Sequence, residues 1–87
     1  MIKGLDTLGV GELGRVVEIR HDAPMARRLE DLGFTPGALV ECTLMRQNAM
    51  HAFLIRGSTI ALRERDCRLV LIDSPEEVNA LERHQHP

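Results

Sequence analysis

Aromatic side chains are nearly missing from this chain, which has no Trp, no Tyr and only two Phe among its 87 residues. Proteins that bind single-stranded nucleic acid stack bases on aromatic platforms, and grooves that read proline-rich peptides are lined by aromatic rings, so both ligand classes lose their usual recognition surface. An excess of positive charge is missing too. Residues 1–72 hold ten Lys+Arg against nine Asp+Glu and residues 73–87 hold one against four, giving a body of +1 and a tail of −3 without the basic footprint of a nucleic-acid binder. No apolar run approaches the ~18 residues of a membrane span, and the N-terminus lacks the charged, apolar and small-residue succession of a signal peptide. The expectation is a soluble cytoplasmic protein that reaches a membrane only through a membrane-protein partner. Cys42 and Cys67 both fall in strand-like apolar runs, which fits reduced, buried thiols; a disulfide or a thiolate metal pair is the alternative.

Catalytic constellations are absent as well. The only serines, Ser58 and Ser74, read as a hairpin turn and a helix cap, and neither sits in a Gly-x-Ser-x-Gly elbow. No Gly-x4-Gly-Lys-Ser/Thr loop is present to cradle a nucleotide. Gly9-x-Gly11-x-x-Gly14 matches the dinucleotide fingerprint in letters, but that motif works only between a strand and a helix. Here Arg15–Arg20 is β-rich, so the glycines read as turns, with Leu5, Leu8 and Leu13 closing one end of a core. The expectation is no enzyme and no cofactor. His21, His51, His84, His86, the two cysteines and Met25, Met45 and Met50 do not assemble into a ligand set, and His84-x-His86 reads as an adventitious pair.

What is present is a succession of short β patterns around one helix. At 87 residues the chain makes a single domain that buries about 60–65% of its unfolded surface. We place a domain over 1–73 and a capped helix with a frayed tail over 74–87. Leu13 to Arg20, with Val16, Val17 and Ile19 between charges, predicts the first strand. Asp22 or Ala23 caps a helix of about ten residues, with Pro24 near its first position and Met25, Leu29 and Leu32 on one face. Gly33 ends that helix, and Pro36-Gly37 suits a type II turn. Val40, Cys42 and Leu44 alternate with polar neighbours in a half-buried strand; His51–Arg56 and Thr59–Arg63 flank a Gly57-Ser58 turn; Cys67–Ile72 is the last strand. Ser74-Pro75-Glu76-Glu77 forms a capping box, with Val78 and Leu81 as an apolar edge. The pattern is mainly β: a small SH3-like antiparallel barrel of about five strands, closed or nearly so, with one helix inserted after the first strand and a short C-terminal helix.

With chemistry set aside, a protein-binding module remains. Phe34 after the helix and Leu71 in the over-apolar last strand each read either as core or as a partner face. Arg28 and Asp31 on the outward face of the helix join them as candidate partner-binding residues. Leu29 and Leu32 read as the clamp that seats the helix on the barrel, so a polar residue at Leu32 should cost core packing.

Three ordered segments carry a family likeness: Arg28-Leu29-x-x-Leu32-Gly33-Phe34-x-Pro36-Gly37-x-x-Val40, then Arg56-Gly57-x-x-Ile60-Ala61-Leu62-Arg63, then Cys67-x-x-Val70-x-Ile72. Over roughly Leu5 to Ile72 the chain resembles the FeoA family, small SH3-like cytosolic proteins of bacterial ferrous iron uptake. The family's structural positions map onto Leu29, Leu32, Gly33, Pro36, Gly37, Gly57, Leu62 and Arg63. The resemblance implies a non-enzymatic accessory to a FeoB transporter, a membrane protein with a cytosolic GTP-binding domain, acting by protein–protein contact. The alternatives are an SH3-like regulatory domain related to metal-dependent repressors of the DtxR type, and a small metal-binding chaperone.

Overall fold

The computed structural model describes residues 1–73; the capping box at Ser74–Glu77, the apolar edge of Val78 and Leu81, and the pair His84 and His86 lie outside the described residues. In chain order the elements are β1 (Lys3–Gly4), a 3₁₀ turn (Leu5–Thr7), β2 (Leu13–Ile19), α1 (Ala23–Asp31), β3 (Leu39–Met45), β4 (Met50–Ile55), β5 (Ser58–Arg63), α2 (Glu64–Cys67) and β6 (Val70–Ile72). All ladders are antiparallel, and the six strands follow the order β1-β6-β2-β3-β4-β5. The extra strand is β1, whose Lys3 and Gly4 pair with Ile72 and Leu71. Two residues are too few to show a period of two. Gly14 sits within β2, where a Cβ would stand 2.8 Å from Ile72 Cδ1. That glycine is there for close packing, and no dinucleotide-binding helix follows it.

The corner after α1 explains two departures from the expected core. Asp22 caps the helix by accepting from the Met25 amide at 2.9 Å, with Pro24 in the first turn. At the other end the Phe34 amide reaches back to Leu29 O and the Gly33 amide to Glu30 O, both at 3.0 Å, with Gly33 at φ +118°. This is a Schellman ending, which brings the residue after the glycine against the residue five before it. Phe34 is therefore turned inward and fully buried beside Leu29, so it offers no face to a partner. Leu32, displaced from that position, is 40% exposed rather than part of the clamp. The type II turn follows as expected, with Ala38 N–H donating to Thr35 O at 3.0 Å and Gly37 at φ +90°.

Bulges and turn register account for the remaining differences. β3 shifts register between Cys42 and Leu44, so Val40 and Cys42 face the core while Leu44 turns outward. The β4–β5 hairpin turns at Arg56-Gly57, one residue earlier than Gly57-Ser58, with both residues at positive φ (+49° and +79°) and Ser58 already paired with Ile55. Such a two-residue loop matches the right-handed twist of its strands. Cys67 and Arg68 are not in a strand: Glu64–Cys67 forms one helical turn, leaving β6 only Val70–Ile72. Leu5, Leu8, Val16, Leu29, Phe34, Phe53 and Ile72 lie in one continuous core.

Candidate functional site

The short helix α2 is held by two histidine–carboxylate pairs. His51, on the inward face of β4, is buried; its Nε2–H donates to Glu64 Oε2 at 3.0 Å, because an ionised carboxylate only accepts. The same Glu64 carboxylate accepts from the Asn48 amide and from Arg68 Nη2, each at 3.0 Å. Hydrogen bonding to His51 first, then to Asn48 and Arg68, holds its pKa below the ordinary 4.5. The second pair joins His21 Nε2 to Asp66 Oδ1 at 3.0 Å, while His21 Nδ1 accepts from the Asp22 amide at 2.9 Å. The first pair ties α2 to β4, with the Asn48 amide adding the β3–β4 connection, and the second ties it to the residue before the cap of α1.

Among the described residues no three His, Cys, Asp or Glu side chains group as a metal site would require. Cys42 and Cys67 are free and buried. Burial pushes the Cys67 thiol up to about 12 and also raises that of Cys42, so neither is a ready nucleophile. No helix among the described residues is long and apolar enough to cross a membrane.

Two surface features remain. On the outward side of β3 and β4, Leu39, Leu44 and Leu54 are exposed, with Glu41 and Thr43 among them, and cross-strand pairing sets Leu44 beside Ala52 and Ala52 beside Ala61. The other is a groove of about 380 Å³ between α1 and β5, with a floor of Met25, Leu29, Ile60 and Leu62 and a rim of Arg28, Leu32 and Arg63. Five residues named from sequence, Arg28, Leu29, Leu32, Leu62 and Arg63, thus meet in one place. Asp31 is exposed on α1 but does not line the groove, and Leu71 is half-buried on β6 between Gly4 and Glu18. Gly33, Pro36 and Gly37 build the corner behind the helix, and Gly57 builds the hairpin. Missed in the sequence were the His51–Glu64 pair, whose partners are 13 residues apart, and the outer leucines. The apolar run Ala52–Ile55 within β4 was a signal for Leu54 alone.

A six-stranded antiparallel sheet, with one helix inserted between its β2 and β3 strands, defines a small SH3-like β domain. Residues 3–74 match the FeoA domain, and the chain belongs to the FeoA family. The fold is similar to a crystal structure of an iron uptake regulatory protein, FeoA, at 24% identity and a TM-score of 0.74, covering 83% of this chain and 94% of that one. It is also similar to the zinc-complexed FeoA of Stenotrophomonas maltophilia, described as a procaryotic SH3 domain protein, at 24% identity and a TM-score of 0.72, covering 80% of this chain and 88% of that one. A manganese-dependent transcriptional repressor shares the shape at 21% identity and a TM-score of 0.72, covering 84% of this chain and 41% of the repressor. No curated protein sequence matches the chain.

Proposed function

We propose that this chain is a non-enzymatic accessory protein of ferrous iron uptake, working in the cytoplasm by contact with the cytosolic part of a FeoB-type, GTP-binding membrane transporter. Family membership over residues 3–74 supports the iron-uptake setting, as do the descriptions of its structural relatives. The observation that carries contact as the mode of action is the groove between α1 and β5. There the family-motif residues Arg28, Leu32 and Arg63 stand at the surface instead of serving the core. An exposed leucine flanked by arginines is the composition of a recognition surface, not of a packing interface within the domain.

Pull-down of the transporter's cytosolic region by the full chain, with and without guanine nucleotide, tests this; retention in at least one nucleotide state is expected, and retention in none contradicts it. Because the carboxylates of α2 are already engaged by His21 and His51, Fe(II) should bind no tighter than about millimolar, roughly −4 kcal/mol. A stoichiometric micromolar site in an anaerobic titration would favour the chaperone reading. The shape shared with the repressor supports a second reading, a regulatory SH3-like domain, which predicts contact with a repressor's DNA-binding part in place of the transporter.

A further inference from the structure

We propose that the groove receives an extended partner segment of alternating apolar and acidic side chains, which adds as a further strand to the free edge of β5. This rests on the transporter reading and names how the contact is made.

Among the described residues β5 pairs only with β4. The two-residue turn at Arg56-Gly57 makes Ile55 and Ser58 a hydrogen-bonded pair, and antiparallel strands then alternate bonded with non-bonded pairs. The Glu64 amide donating to Ala49 O at 2.9 Å confirms that phase at the far end. The backbone N–H groups of Thr59, Ala61 and Arg63 and the C=O groups of Thr59 and Ala61 therefore point away from β4, while the Arg63 C=O, at the N-cap of α2, accepts the first bond of that helix; all three residues are exposed. An incoming strand would find evenly spaced donors and acceptors there.

Its inward side chains would meet the apolar floor of Ile60 and Leu62 and the wall that Leu32 makes on α1. Its outward side chains would meet Arg63, and Arg28 faces the segment from the helix. Neither arginine has an ion-pair partner among the described residues, nor has the neighbouring Arg65. Asp66, the acidic residue lining the groove, is engaged by His21. With Arg28 and Arg63 against Asp66, the groove keeps an excess of positive charge among the described residues, which selects acidic positions in the occupant, whereas a second copy of this chain would bring the same arginines to the same edge.

Amide hydrogen exchange followed by NMR on the full chain tests the proposal. One titration uses the transporter's cytosolic region, and another a short synthetic peptide alternating valine with glutamate. Binding should slow exchange at Thr59, Ala61 and Arg63. The double variant Arg28→Glu, Arg63→Glu should weaken binding about tenfold or more without lowering Tm. Ala61→Pro, which removes one outward N–H while leaving the β4 ladder intact, should weaken it independently. Binding of the cytosolic region with those three amides unchanged overturns the strand addition and leaves the transporter reading standing. If the cytosolic region does not bind, that reading fails and the peptide decides: protection of the same amides upholds the edge site, and unchanged exchange at saturating peptide overturns it. Protection that grows with the concentration of the chain alone would mean self-pairing, and also overturns it.

Discussion

A single carboxylate, that of Glu64, accepts from a buried histidine, a loop amide and an arginine, and so couples three parts of the chain. Its folded-state pKa lies below its unfolded one. The stabilisation is therefore fully present above the ordinary value of 4.5 and is lost as the pH falls through the folded value. Urea unfolding of Glu64→Gln should show lower stability at pH 7 and a shallower loss in the acid range; parallel profiles for the variant and the natural chain would contradict this. The two helix leucines separate by the same kind of test. Leu29, fully buried, should cost about 2–5 kcal/mol as Leu29→Ala. Leu32, at 40% exposure, should cost about 1 kcal/mol at most as Leu32→Gln, and should lower partner binding instead. Equal losses of stability in the two variants would return Leu32 to the core.

Among the elements, the helix-to-strand corner governs which side chains reach the groove. Gly33 at φ +118° directs Phe34 inward, and a Cβ there would also meet Arg56 Cδ at 3.2 Å. Gly33→Ala should therefore cost about 1–2 kcal/mol by thermal or chemical unfolding, and an unchanged midpoint would show that the corner tolerates another ending. Helix cap, glycine ending, type II turn and the positions of β2, β4 and β5 were all legible from the chain, because each depends on a few adjacent residues. The inward turn of Phe34 was not, since helical spacing gives Leu32 the core position and only the Schellman hydrogen bonds reverse the two. Leu44 escaped for a related reason: a bulge in β3 changes the face without changing the letters. β1 and the pairing of His51 with Glu64 depend on partners distant in the chain, which periodicity does not report.

At the scale of the whole molecule, the described residues bring together a groove and a strand edge, which the proposed contact uses. Its thiols are buried, its α2 carboxylates are engaged by histidines, and Arg28 and Arg63 line a groove beside an edge of β5 that is unpaired among the described residues. Residues of the first family segment serve two different ends: Leu29, Gly33 and Phe34 build the corner, while Arg28 and Leu32 join Arg63 of the second segment around the groove. The groove residues were legible as family positions, but their convergence required the helix and β5 to be brought together in space. Contact through this groove is measured most directly by calorimetric titration of the full chain into the cytosolic region of a FeoB-type transporter, in nucleotide-free, GDP-bound and GTP-analogue-bound forms. Saturable binding in at least one form is expected, weakened about tenfold or more by Arg28→Glu with Arg63→Glu. No binding in any of the forms, or binding untouched by both charge reversals, would contradict it.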